Sequence, residues 1–215
     1  MVEAGTYAAL LSDDERAAAQ KYRFSIDRER TLAARALARF VLQEETGLDG
    51  RSFSFRLGPF GKPYLVHPQA VGINVSHSGD YVAVALEWER EVGVDIEEDN
   101  PRVNVFEVAP TVFTPLELEF VLGAASPFEA RSNFYRLWTR KEAVLKVWGT
   151  GLTLDAREVS VGSPHGAVKV THPKQSACWV EDLELTGINA GHASLAGAVA
   201  WNENPMVEGR SHGCH

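Results

Sequence analysis

The twenty residues from Asn133 to Leu152, NFYRLWTRKEAVLKVWGTGL, constrain this chain most, because they join an amphipathic helix, a basic cluster and a carboxylate in one segment. Phe134, Leu137, Trp138, Leu145 and Trp148 recur at spacings of three and four, the period of a helix with one buried stripe. Gly149 and Gly151 break the pattern where a left-handed C-terminal cap is required. On such a helix Trp138, Glu142 and Lys146 share one face. Taken alone, Glu142 and Lys146 are an i,i+4 pair of the kind that decorates any solvated helix. Two further stretches bear on that reading: INVSHSGDYVAVAL from Ile73 to Leu86, and VGVDIEE from Val92 to Glu98.

With 215 residues, 45% of them hydrophobic, the chain can bury one large core or two small ones. Its opening residues, MVEAGTYAALLSDDE, carry neither the basic start nor the long apolar run of a secretory leader, and no stretch has the length of a membrane span. The expectation is a cytoplasmic protein with no membrane partner. Cys178 and Cys214 are too few for a disulfide framework or a cysteine metal site. A net charge of -8 argues against nucleic-acid binding through a broad basic surface. It still leaves room for a local patch, and Arg131, Arg136, Arg140, Lys141 and Lys146 outnumber Glu129 and Glu142.

In chain order, Ser12 and Glu15 have capping-box spacing and predict a short helix carrying Arg16 and Lys21. Asp27 to Thr46 predicts a second helix ending at Gly47, with Arg28, Arg35 and Arg39 on one side, as a solvated basic face paired with Glu29 and Glu44 or as a functional one. SFSFRL alternates like a strand, and GPFGKP, residues 58–63, breaks it and exposes Lys62 on a loop. Gly72 to Leu86 predicts strand, turn and strand, with His77 at the mouth of the turn as a structural hydrogen-bonder or a ligand contact. Pro101 to Pro110 reads as a linker, and Thr114 with Pro115 opens another helix. REVSVG, GAVKVTH, ACWVEDLEL and HASLAGAVAW read as strands. A weak echo between INVSHSGDYVAVALEW and INAGHASLAGAVAW predicts an α+β fold of two similar halves, 1–105 and 106–201, about a pseudo-twofold axis, with the active site in the cleft between them and a disordered tail at 202–215. Such a chain carries a dimer-like interface within one monomer.

In VGVDIEE the strand period sets Val92, Val94 and Ile96 on one face and Gly93, Asp95 and Glu97 on the other, with the two carboxylates about 7 Å apart. If that strand faces the central helix, Asp95, Glu97 and Glu142 supply three hard oxygen ligands with no soft ligand beside them, a set that suits magnesium. Magnesium completes its shell with water and substrate phosphates, so a phosphate-bearing substrate follows. Lys146, one turn beyond Glu142, can neutralise charge on a phosphate or leaving group. Phosphoryl transfer to a protein and hydrolysis of a nucleotide or pyrophosphate both fit these residues, and so does a module that only binds.

GKP at 61–63, NVSHSG at 74–79, VGVDIE at 92–97 and FYRLWTRKEAVLK followed by GTGL together resemble the surfactin-type 4'-phosphopantetheinyl transferases. The resemblance runs from about Ser12 to Trp201. It implies transfer of the phosphopantetheine arm of coenzyme A to a serine of an apo acyl or peptidyl carrier protein, with magnesium required and 3',5'-ADP released. By the same resemblance Asp95, Glu97 and Glu142 hold the ion, and Lys146 meets the phosphates. His77 and Ser76 meet a coenzyme A phosphate, and the backbone at Gly61, Lys62 and Pro63 holds the adenine. Members of that family carry first-helix basic residues for the 3'-phosphate where this chain has Glu15 and Ala18, so Arg16, Lys21 or Arg35 is expected to substitute. An acidic carrier helix is expected to dock on the patch from Arg131 to Lys141.

Overall fold

The computed structural model describes residues 9–58, 62–162, 166–185 and 194–206. The expected mixture of helices and antiparallel strands is present. Ser12 caps helix α1 (Asp13–Ala19) through a reciprocal box with Glu15, and α2 (Ser25–Thr46) follows and stops at Gly47. Strands β1 (Ser54–Leu57) and β2 (Pro63–Val66) pair antiparallel, and β3 (Val71–Ser78) and β4 (Tyr81–Trp88) form a hairpin closed by Gly79 and Asp80. Strand β5 (Val92–Glu98) leads into three helices, α3 (Val105–Val112), α4 (Pro115–Leu122) and α5 (Pro127–Trp148). The chain returns through β6 (Val168–His172), β7 (Gln175–Asp182) and β8 (Leu195–Asn202), which join β5 in a four-stranded antiparallel sheet ordered β5-β8-β7-β6.

Helix α5 is the segment the sequence singles out, and its ends follow local rules. The Ser126 hydroxyl accepts from the Glu129 amide, Pro127 supplies a preset first turn, and Gly149 at φ 66° takes the left-handed cap. The helix lies across β5, β8 and β7, burying Leu137, Val144 and Leu145 against Val170, Cys178, Val180, Ala198 and Ala200. A second core, of Ala38, Leu42, Phe53 and Ile73, sits where α2 packs on the β3–β4 hairpin. The approach of α5 to β5 is a backbone contact. A Cβ on Gly93 would lie 2.1 Å from the Ala143 carbonyl oxygen and 2.8 Å from the Val147 nitrogen.

Several expectations are corrected. The stretch read as a linker holds most of α3, which buries Val105 and Ala109 one turn apart despite Pro110 within it. REVSVG is not a strand. After a 3-10 turn at Ala156–Glu158 it runs extended with no partner strand among the described residues, its backbone served by side chains: the Lys141 ammonium donates to the Ala156 and Val159 carbonyls, and the Val161 amide donates to Glu117 at 2.8 Å. Alternating apolar residues there report burial of Val159 and Val161, not a ladder. Arg39 belongs to no solvated face: it is buried on Glu15 at 2.9 Å and on the carbonyls of Gly50 and Phe53. Residues 202–206 are tied down, since Asn202, Glu203 and Met206 donate backbone hydrogen bonds to Glu91, Ala177 and Glu89. The rest of the expected tail, 207–215, and the segment 188–193 of the internal echo lie outside the described residues.

Replacing Gly93 by alanine forces α5 away from β5. We expect a loss of about 1–3 kcal/mol in chemical denaturation, with helix content by circular dichroism retained.

Candidate active site

Three elements meet at one place: the C-terminal half of α5, strand β5 and the hairpin strand β3. As the edge strand of its sheet, β5 presents backbone amides that β8 cannot pair. Side chains of β3 take them. The Val94 amide donates to Asn74 Oδ1 at 3.0 Å, the Ile96 amide to Ser76 Oγ at 3.3 Å and the Glu98 amide to Ser78 Oγ at 3.0 Å. Each serine passes its own proton on, Ser76 to Asp95 Oδ1 and Ser78 to Glu97 Oε2, both at 2.8 Å.

From the other side, Lys146 Nζ donates to Asp95 Oδ1 at 2.7 Å and to the Val94 carbonyl at 2.9 Å. The expected i,i+4 ion pair with Glu142 is therefore not the one the lysine makes. Trp138, one turn before Glu142, lies near enough to Glu97 to oppose slightly the rise of its carboxyl. Asp95 Oδ2 and Glu142 Oε1 are both buried with no hydrogen-bond partner. Burial raises the Asp95 and Glu97 carboxyls above their ordinary range, although Lys146 opposes this at both. For Glu142, burial and the charges of Asp95 and Glu97 outweigh Lys146 and push the carboxyl from its ordinary 4.5 to about 7.

Two buried acceptors without donors beside three mutually repelling carboxylates cost free energy that a hard cation would recover, so the residues fit a divalent metal. Among the described residues no group of three or more His, Cys, Asp or Glu side chains is placed to hold a metal ion as it stands. The Lys146 ammonium lies on Asp95 in this structure.

The remaining site candidates fall in two places. His77 is exposed near the end of β3 and, with Tyr22, Thr31, Arg35, Phe55 and Pro63, lines a cavity of about 250 Å³ between α2 and the hairpin. Glu15 also lines it and lies 3.7 Å from Arg35. Arg16 points elsewhere, to the Leu11 carbonyl, and Lys21 is exposed. Ser76 is buried and its hydroxyl is committed to β5, so its side chain serves Asp95 and not the cavity. Lys62 is no solvent-facing loop lysine: Gly58 closes the loop on the Lys62 carbonyl, and its ammonium rests on Glu91 at 2.6 Å and on the Lys146 carbonyl in the last turn of α5. Gly61 lies outside the described residues.

The expected basic patch is not continuous at the surface, where, of the basic residues from Arg131 to Lys141, only Arg131 and Arg136 remain partly exposed. Arg140 and Lys141 are fully buried, on Asp182 at 2.6 Å and on Glu117 at 2.8 Å. Arg136 also bonds Asp182, and Arg131 is clasped by Asp99 with the Asn100 and Val103 carbonyls. Consecutive basic residues on a helix point around its circumference, and here tertiary carboxylates meet them. Ser78 and Asn74 carry site contacts that the sequence reading passes over. Among the described residues no helix is long and apolar enough to cross a membrane.

Comparison with known proteins bears on the same elements. The model of the 4'-phosphopantetheinyl transferase N-terminal region matches residues 3–89, and that of the 4'-phosphopantetheinyl transferase superfamily matches residues 91–197. The 4'-phosphopantetheinyl transferase AcpT of Escherichia coli (strain K12) is 36% identical over 159 residues, 74% of this chain and 73% of its own length. A 4'-phosphopantetheinyl transferase of Bacillus subtilis is 32% identical over 153 residues, 71% of this chain and 66% of its own length. A Synechocystis protein is 35% identical over 149 residues, 68% of this chain and only 60% of its own length. With the hairpin and its cavity inside the first matched region, and the carboxylate strand and Glu142 helix inside the second, this chain belongs to the 4'-phosphopantetheinyl transferase superfamily.

Proposed function

We propose that the chain transfers the 4'-phosphopantetheine arm of coenzyme A to a serine of an apo acyl or peptidyl carrier protein, releasing 3',5'-ADP. The observation that carries this is the pair of buried, unpartnered oxygens, Asp95 Oδ2 and Glu142 Oε1, set beside Lys146. Asp95, Glu97 and Glu142 would hold a divalent cation, of which magnesium suits an all-oxygen set. When bound, that ion neutralises charge developing on the pyrophosphate. Lys146, anchored by Asp95 and the Val94 carbonyl, keeps one ammonium hydrogen for a phosphate oxygen. Glu142 accepts the proton of the carrier serine, directly or through a water, as that oxygen attacks the β-phosphorus in line and the bond to the α-phosphate oxygen breaks. Arg35 offers positive charge and His77 a ring nitrogen for hydrogen bonding at the cavity between α2 and the hairpin, where the 3'-phosphoadenosine end would lie beside Pro63. Gly61 and Lys62 would frame the adenine from the same loop. We further read the protein as a cytoplasmic monomer of two halves, 1–105 and 106–201, meeting at this site. Nucleic acid and membrane have no part in this reaction.

The direct test is the intact mass of an apo carrier protein after incubation with this protein, coenzyme A and magnesium. A gain of about 340 Da, abolished by EDTA, is the expected result for a metal-assisted transfer. Steady release of 3',5'-ADP with no carrier present would instead identify a hydrolase and overturn the transfer. Glu142→Gln keeps the shape of the side chain and removes the base, and should lower the transfer rate by about 100-fold or more.

The raised Glu142 carboxyl also sets a pH dependence. Its folded-state value, about 7, exceeds its ordinary 4.5, so the folded metal-free protein holds the proton more tightly than the unfolded chain does. The stability it contributes is therefore present at low pH and is lost as pH rises through about 7. Thermal unfolding in EDTA should give a lower midpoint at pH 8 than at pH 5.5. Glu142→Gln should shrink that difference.

A further inference from the structure

We infer that the hydroxyls of Ser76 and Ser78 are positioning groups for the cation site, each setting the rotamer of one carboxylate so that its other oxygen is turned to the metal. This rests on the proposed reading of Asp95, Glu97 and Glu142 as the cation's ligands.

A serine hydroxyl has one proton to give. Ser76 Oγ already accepts the Ile96 amide and Ser78 Oγ the Glu98 amide, so each hydroxyl proton is directed away from the backbone. Each goes to the carboxylate one residue before the amide that its oxygen accepts: Ser76 to Asp95 Oδ1 and Ser78 to Glu97 Oε2. The spacing is two residues on both strands, so one register serves both pairs. The unit therefore reads amide, hydroxyl, carboxylate, and it occurs twice in succession. At Asp95 it ends in a division of labour. Oδ1 takes Ser76 and Lys146, while Oδ2 is buried with no donor. Outer groups of this kind govern how well ligands meet a metal.

The same strand contains an internal control. Asn74 Oδ1 accepts the Val94 amide at 3.0 Å, closing the third position of the same edge. Its β3–β5 bond resembles those of the serines, but among the described residues it makes no hydrogen bond to a carboxylate. A role confined to sealing the strand edge predicts equal consequences at positions 74, 76 and 78. A role in aiming carboxylates separates 74 from the other two.

The experiment is titration of the full-length protein with Mn²⁺, free ion being read by electron paramagnetic resonance, alongside thermal unfolding in EDTA. Ser78→Ala and Ser76→Ala should each weaken Mn²⁺ binding by about 10- to 100-fold. Ser78→Thr, which keeps the hydroxyl, should restore it. Asn74→Ala should lower the unfolding midpoint and leave the Mn²⁺ affinity of the folded protein unchanged. Parental affinity in both alanine variants, or an equal loss in Asn74→Ala, overturns the positioning role. Should Ser76→Ala or Asn74→Ala fail to fold, the comparison of Ser78→Ala with Ser78→Thr decides alone, since loss without rescue also overturns it. A parent protein that binds no Mn²⁺ overturns the cation reading itself, a result distinct from the others.

Discussion

The contact on which this structure depends is that of a helix backbone against a strand backbone. At Gly93 there is no room for even a methyl group between β5 and α5. The helix residues that touch it, Ala143 and Val147, are the immediate followers of Glu142 and Lys146. The distance between helix and strand is thus also the distance at which the helix's acid and cation confront Asp95. A bulkier residue would withdraw both side chains together, so the packing constraint and the chemical one are the same constraint.

Charges buried in this chain fall into two kinds. Glu15 and Glu117 are saturated. Burial pushes Glu15 up, but its bonds to Arg39 and Ser12 bring its carboxyl below the ordinary range, and Glu117 is shared among Lys141 and the Thr114 and Val161 amides. These pairs fix α1 on α2 and α4 on α5. At the site the balance is reversed. Asp95, Glu97 and Glu142 share a single lysine, burial wins, and all three are raised. Unsaturation, more than burial, distinguishes a place built to receive something from a place built to hold the fold.

What could be read from residues alone follows the range of the forces involved. Helix α5, its glycine stop, the capping box at Ser12 and the hairpin at Gly79 are local, and the sequence carries them plainly. Grouping Asp95 and Glu97 with Glu142 follows from strand and helix periods once the two are taken to face each other. The misreadings all involve partners distant in the chain. Arg140 and Lys141 look like surface charge until Asp182 and Glu117 are supplied. Val159 and Val161 look like a strand until their backbone is seen to be served by side chains. Asn74, Ser76 and Ser78 alternate with Ile73, Val75 and His77, polar positions that normally mark a solvent face, yet they seal the edge of a second sheet. Pro110 reads as a break, and packing of Val105 and Ala109 overrides it.

The pairing of β5 with β8 carries a consequence for how the molecule is made. Asp95 lies opposite Ala198 and Glu97 opposite Ala196, about a hundred residues further along the chain. During synthesis the hairpin and α5 can form as they emerge, but the strand bearing the carboxylates gains its sheet neighbour only when the final strand leaves the ribosome. Until then β5 has an open edge facing where β8 will lie. Completion of the sheet behind the charged centre is accordingly a late event in synthesis.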